Sequence, residues 1–262
     1  MIALASPSLV ALTRAVPSSI VHCELTHLAR EPIDVARAVA EHARYEEALA
    51  RLGCAVQHLP EAPELPDSVF VEDTAVVLDE VAVITRPGAP SRRPETMSVA
   101  PALAQYRRLL CVERPSTLDG GDVLVVGRDV YVGLSGRTNA AAVWRLAELL
   151  APHGYRIAGV PVRGCLHLKS AVTAVGDDVI LLNPAWVDAS AFPRAKRIDV
   201  HPAEPTAANA LRVGDALIYP AHAPRTRERL EAAGFRVESV DVADLAKAEA
   251  GVTCCSLIVR VV

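Results

Sequence analysis

Short apolar runs broken by a turn recur along the chain. A small or polar residue leads into an apolar strand, a turn at Asp or Gly, and a second apolar strand. The pattern appears as DTAVVLDEVAVITRPG from Asp73, DVLVVGRDVYVGLSG from Asp122 and SAVTAVGDDVILLNP from Ser170. It returns as NALRVGDALIYPA from Asn209, and a half copy, CSLIVRVV from Cys255, closes the chain. The turns LDE, GRD, GDD and VGD between β-branched runs predict hairpins.

Helix-then-strand segments lie between the hairpins. ARAVAEHARYEEALARLG, 36–53, has apolar positions three and four apart and ends on Gly53, a natural helix stop. CAVQHLP then reads as a strand. TNAAAVWRLAELLAPHG precedes YRIAGVPV in the same way, and TRERLEAAG precedes FRVESVDV. The unit is therefore ββαβ, recurring roughly every 40 to 50 residues. A doubly wound sheet needs single strands alternating with helices and a glycine-rich phosphate loop that opens a helix. Here GGD at 120–122 leads into a strand instead. Five units without a linker fit a ring about an axis, in which the N-terminal strand MIALASPSLVAL pairs with the C-terminal one and leaves no open edge. The expected architecture is one α/β domain over 1–262, a five-bladed propeller of ββαβ repeats.

Composition narrows the function. Apolar residues make up 51% and charged residues 22% of the 262, which describes a globular chain with a large core. Lys and Arg number 27 against 31 Asp and Glu, a net charge of −4, so the basic excess of a nucleic-acid or anionic-membrane binder is missing. A small-molecule substrate is expected, with no nucleic acid and no membrane as partner. No uncharged apolar run has the length of a membrane helix, and no basic stretch precedes the apolar N-terminus as in a signal peptide. The six cysteines are scattered, without a metal-type CxxC pair, which points to a reduced, cytoplasmic protein.

The reactive side chains share one register of the repeat. Glu72 and Asp73 stand at the first hairpin, Asp119 and Asp122 at the second, His167 at the third and Cys254 at the last. Rotation about the axis brings these positions together. A thiol, an imidazole and a carboxylate in one place support nucleophilic catalysis. Taken singly, each has a plainer reading: a Cys packed in a strand, a satisfied core His, a bulged turn. Cys254 and Cys255 alternate across a strand, so at most one faces a given site. Asp67, Glu72 and Asp73 surround an apolar strand and favour a cationic group, while Arg92 and Arg137 suit a carboxylate. Together they fit an amino acid with a cationic side chain; alone, the arginines read equally as surface ion-pair partners.

PDSVFVED, ITRPGAPSRR, LDGGDV, GLSGRTN, LHLKS and GVTCCSL, in this order and spacing, resemble the dimethylarginine dimethylaminohydrolases. These belong to the guanidino-group-modifying superfamily, with arginine deiminases and amidinotransferases. The resemblance runs from about Ser19 to the C-terminus. It implies the five-bladed α/β propeller called the pentein fold, and hydrolysis of Nω-methylated arginines to citrulline through a covalent Cys thiouronium. It implies Cys254 as nucleophile, His167 as general acid/base and Asp119 as the group that orients His167. Asp73 and Glu72 are then expected at the guanidinium, Asp67, Arg92 and Arg137 at the amino-acid end, and Leu25 or Cys23, on the loop after the first strand, on a lid. AEAG at 248–251 departs from the family's usual Asp-Gly: Glu249 matches the Asp and Ala250 the Gly, which puts Ala248 and Glu249 beside the α-amino group. No metal or organic cofactor is required. A homodimer stays open, as does an inhibitory zinc ion at Cys254, because zinc favours thiolate and imidazole. The competing readings are an arginine deiminase-like hydrolase of another guanidine and a non-catalytic methylarginine-binding protein.

Overall fold

Each unit of the repeat folds as an antiparallel hairpin followed by a parallel third strand. The computed structural model describes residues 8–261; the opening of the expected N-terminal strand, residues 1–7, lies outside the described residues. Strand β1 (Ser8–Thr13) is followed by helix α1 (Val35–Arg51) and β2 (Cys54–His58). The second unit runs through β3 (Ala75–Val77), β4 (Val81–Ile84), α2 (Thr96–Ala104) and β5 (Arg108–Cys111). The third comprises β6 (Val123–Val126), β7 (Asp129–Leu134), α3 (Ala140–Leu150) and β8 (Arg156–Pro161). In the fourth, the short helix α4 (Leu168–Ala171) leads into β9 (Val172–Ala174), β10 (Val179–Leu182) and β11 (Lys196–Asp199). The fifth holds β12 (Leu211–Val213), β13 (Ala216–Pro220), α5 (Pro224–Ala232) and β14 (Arg236–Val240). After α6 (Ala243–Ala246), strand β15 (Leu257–Val261) returns to β1.

The sheets have the orders β15-β1-β2, β3-β4-β5, β6-β7-β8, β11-β10-β9 and β12-β13-β14. β1 pairs antiparallel with β15, Leu12 opposite Leu257, and parallel with β2. The two ends of the chain thus share a sheet, as the pattern predicts. Helix α1 forms where its signals say: Asp34 accepts the Arg37 N–H as N-cap, and Gly53 takes the left-handed φ of +92° just past the end. Its inward face, Ala38, Tyr45, Ala48 and Leu49, is buried.

The fourth unit departs from ββαβ. Only the 3-10 turn Ala189–Ala191 lies between β10 and β11, because NPAWVDASAFPRAK carries Pro184 and Pro193 and no helical period. This is also the shortest step of the repeat.

The strands β3, β6, β9, β12 and β15 stand innermost: β15 lies against β3, β6 against β9, and β9 against β12. They line a central cavity of about 290 Å³ through Val76, Val125, Ala174, Leu211 and Ile258. The core is distributed as wedges between neighbouring units. Leu146 and Leu150 of α3, for example, pack with Val83 of β4 and Val132 of β7. Each such side chain contributes about 1.5–3 kcal/mol on burial. No helix among the described residues is long and apolar enough to cross a membrane.

Candidate active site

Short turns at the start of the inner strands carry the reactive groups. The 3-10 turn Val71–Thr74 brings Glu72 and Asp73 to the head of β3, and Gly120–Asp122 follows Asp119 at the head of β6. His167 caps α4, and Cys254 sits just before β15. Because inner strands surround one axis, their heads meet. Cys254, His167, Asp73, Asp67 and Arg137 line one cavity, as do Arg92, Ala248 and Glu249.

His167 is almost fully buried. Its Nε2 lies 3.0 Å from Asp119 Oδ2, and Asp119 Oδ1 accepts the Gly88 N–H at 2.8 Å, which fixes the carboxylate. Nδ1 lies 3.7 Å from Asp73 Oδ1. A Cβ on Gly121 would come within 2.6 Å of Nδ1, so only glycine lets the ring sit there. Burial pulls the imidazolium down, but Asp73, Asp122 and Asp119 outweigh it and raise His167 to about 9. Burial likewise works against the Asp73 carboxylate, yet His167 and Arg92 hold it at about 2. The folded value of His167 exceeds the ordinary 6.5. Its charge therefore stabilises the fold fully below about 6.5 and loses that contribution as pH rises through about 9. Thermal melts at increasing alkalinity are expected to show a stability loss centred there, reduced in His167→Gln.

Cys254 is partly exposed to the cavity, and its Sγ accepts the Gly251 N–H at 3.3 Å. Burial, then Glu72 and Asp73, push the thiol up, so it is protonated at neutral pH. Cys255 points away into the apolar cluster with Tyr45 and Cys54. Asp67 accepts the Glu24 N–H with both carboxylate oxygens. Arg137 donates from Nη2 to Thr26 Oγ1 at 3.1 Å and lies 3.9 Å from Asp119.

Glu72, Arg92 and Glu249 are held by partners that the motifs do not name, while Arg92 and Glu249 still line the cavity. Glu72 faces the central cavity, its oxygens taken by Lys169 Nζ and Thr253 Oγ1 at 2.7 Å each, because successive residues of its turn diverge. All three guanidinium nitrogens of Arg92 are bonded within the protein, to Asp73, Glu95 and the carbonyls of Asp67 and Phe70. Arg92 thus braces Asp73 here; a buried guanidinium needs such partners. Glu249, at φ +59°, turns its carboxylate onto the backbone N–H groups of Thr26, His27 and Leu28. Leu25 packs with Cys254 and Ala250 against the neighbouring core and does not line the cavity. The lining residues that the motifs did not single out are Glu24, Phe70, Leu166 and Ala250. Phe70, Leu166 and Ala250 each adjoin or belong to a quoted motif, so chain proximity was the available signal.

The cavity measures about 20 Å³, room for about one water and too small for an amino acid. Glu24 and Glu249 are among its lining residues, and Glu249 anchors the Thr26–Leu28 backbone beside it. Charge-assisted bonds contribute about 1.5–3 kcal/mol each. Glu249→Ala is accordingly expected to speed amide hydrogen exchange at Thr26–Leu28 by about tenfold or more, measured with the pH held constant. Asp73, Asp119 and His167 each bring one ligand-type atom within 4.8 Å of the others, whereas neither thiol belongs to that cluster.

A family profile described as "N,N dimethylarginine dimethylhydrolase, eukaryotic" matches residues 25–196. The N(G),N(G)-dimethylarginine dimethylaminohydrolase of Streptomyces coelicolor is 43% identical over 259 residues, covering 97% of this chain and 98% of the relative. Among solved structures, a cysteine-to-serine mutant of the Pseudomonas aeruginosa dimethylarginine dimethylaminohydrolase, complexed with citrulline, superposes with a TM-score of 0.90 at 33% identity. The match covers 95% of this chain and 98% of that one. A histidine-to-glycine dimethylarginine dimethylaminohydrolase, in an adduct with S-methyl-L-thiocitrulline, gives 0.89 at 33% identity, with the same 95% and 98% coverage. Fold, site geometry and similarity over nearly the full length agree: the chain belongs to the dimethylarginine dimethylaminohydrolase family.

Proposed function

We propose that this chain hydrolyses Nω-methylated arginines, asymmetric dimethylarginine and monomethylarginine, to citrulline and dimethylamine or methylamine. The observation that carries the reading is the convergence of Cys254, the His167–Asp119 pair and Asp73 on one enclosed cavity. The relative whose structure holds citrulline supports the product.

The chemistry follows from the charges. Asp73, beside His167 in the cavity, favours a cationic guanidinium and brings its delocalised, weakly electrophilic carbon to the sulfur, with Asp67 toward the amino-acid end. The guanidinium also offsets Glu72 and Asp73, the carboxylates that oppose a thiolate, so substrate binding releases the Cys254 proton to solvent. The thiolate forms the S–C bond. His167, protonated because its value is about 9, gives its proton to the departing amine as the C–N bond breaks. Neutral His167 then takes a proton from water, whose oxygen attacks the thiouronium carbon. As the C–S bond breaks, the remaining hydroxyl proton of the adduct passes to the sulfur, and citrulline leaves.

The whole chain, 1–262, acts as one catalytic domain. Its six free cysteines support a reducing, cytoplasmic setting. A zinc ion that bound the thiolate of Cys254 would inhibit, and a chelator would reverse the effect. The exposed Trp144 and Met97 are apolar groups available to a second copy in a homodimer, readable by sedimentation.

The test is citrulline release from asymmetric dimethylarginine, monomethylarginine and arginine in parallel, after chelation. Release from the methylated substrates with little from arginine is expected. Release from arginine alone moves the chain to deiminase chemistry, and silence on all three sinks the proposal.

A further inference from the structure

Side chains clasp the head of each inner strand to the next around the ring. Asp73 Oδ1 accepts the Gly121 N–H at 2.9 Å, and Asp122 Oδ1 accepts the Leu168 N–H at 2.9 Å. Thr173 Oγ1 accepts the Ala210 N–H at 3.1 Å and donates to the Ala208 carbonyl at 2.7 Å. Asn209 Oδ1 accepts the Thr253 N–H at 3.0 Å, and the backbone closes the circle, Glu72 N–H donating to the Cys254 carbonyl at 3.1 Å. Asp73, Asp122 and Asn209 are also residues at which the repeat begins. The repeat thus carries a polar joint as well as an apolar pattern.

Two of these joints belong to Asp122 and Asn209, which do not line the cavity of Cys254, yet they end beside the reacting groups. Leu168 follows His167, and Thr253 precedes Cys254. Asp122 is fully buried and Asn209 nearly so. Asp122 Oδ2 also accepts from Ser135 Oγ at 2.6 Å, and Ser135 Oγ accepts the Arg137 N–H at 3.0 Å. One carboxylate therefore ties the His167 turn to the Arg137 turn. Asn209 Nδ2 donates to Thr253 Oγ1 and to the Lys169 carbonyl, both at 3.0 Å, so one amide ties helix α4 to the Cys254 turn. There is no slack in this second joint: a Cβ on Gly251 would come within 2.4 Å of Asn209 Oδ1.

We propose that Asp122 and Asn209 are positioning residues, which set where His167 and Cys254 meet the substrate carbon by holding the backbone N–H beside each. The substrate in this statement rests on the proposed hydrolysis of methylarginines; the placement of thiol and imidazole does not. A displacement of about 1 Å at a reacting group costs about 10²-fold in rate, which is the scale on which the two joints act.

The test compares Asp122→Ala, Asp122→Asn, Asn209→Ala and Asn209→Asp in the full chain, with active sites counted by titration of Cys254. The alanine variants are expected to lose about 10- to 100-fold in kcat per titrated thiol, with KM within about threefold. Asp122→Asn keeps an oxygen for the Leu168 N–H and recovers most of kcat. It removes one of three carboxylates facing His167, leaving Asp73 and Asp119, so the alkaline limb of its pH profile moves to lower pH. Asn209→Asp keeps the oxygen for the Thr253 N–H but loses both donors and adds a negative charge, so its kcat stays below that of the unaltered enzyme.

A second readout needs no turnover: the pH dependence of Cys254 alkylation by iodoacetamide. Cys254 faces Glu72, Asp73, Lys169 and the Gly251 N–H in every variant. Asn209→Ala is expected to change the alkylation rate at fixed pH by about threefold or more. If methylarginines are not substrates at all, that arm still decides the placement of the thiol. Variants that melt earlier but keep unaltered kcat per thiol, pH profile and alkylation rate overturn the proposal. Should the alanine variants not fold, the same criteria apply to Asp122→Asn and Asn209→Asp, whose unchanged profiles overturn it equally.

Discussion

Cys254→Ser is expected to abolish turnover, lowering citrulline release by at least about 10³-fold while methylarginine still binds within a few-fold. Serine keeps the shape and still accepts the Gly251 N–H, so the cavity is preserved. What changes is ionisation. Burial together with Glu72 and Asp73 already holds the thiol up, and a hydroxyl starts far higher, so even a bound guanidinium leaves it un-ionised. Steady-state rates paired with calorimetric titration of the substrate separate the two quantities. Loss of binding in step with rate would point to a structural role for the thiol instead.

His167→Gly is expected to lower kcat on asymmetric dimethylarginine by about 10³-fold, the middle of the range for a positioned acid/base. Dimethylamine leaves only if protonated, and His167, at about 9, is the buried acid that faces the cavity with its proton in place. A methylthio leaving group departs as a much weaker base and needs less help. S-methylthiocitrulline should therefore still form the thiouronium on Cys254 in the variant, releasing methanethiol, whereas hydrolysis stalls because no base activates water. In the unaltered enzyme the rate falls as pH rises through about 9, when the imidazolium loses its proton. Equal loss on both substrates, with no adduct, would remove His167 from the leaving-group step.

How much of this was readable from the chain follows from where the forces act. Hairpins are local: β-branched runs around GRD or VGD declare themselves, and the matching of five units yields the ring. The helix Thr96–Ala104 was not among the segments with a visible period, since Pro90, Pro94 and Pro101 interrupt the stretch around it. The fourth unit lost its helix to Pro184 and Pro193, and its short step was the trace of that loss. Cys254, His167, Asp119 and Asp73 were legible because one register of the repeat places them at one end of the ring. The partners of Arg92 and Glu249 were not. Arg92 is claimed by Glu95 three residues on and by two carbonyls from a preceding loop. Glu249 reaches a segment 221 to 223 residues away. A charge in sequence says what it can bind; only the packed neighbours decide what holds it.

Covalent catalysis at Cys254 is the centre of the mechanism, and acid quenching tests it most directly. Enzyme turning over asymmetric dimethylarginine, and His167→Gly mixed with S-methylthiocitrulline, are stopped within the first turnovers, digested, and weighed by mass spectrometry. The predicted result is a substrate-derived mass on the Cys254 peptide, most abundant in His167→Gly and missing when Cys254→Ser is introduced. Citrulline formation by the unaltered enzyme, with the Cys254 peptide unmodified at every time point in both samples, would contradict it.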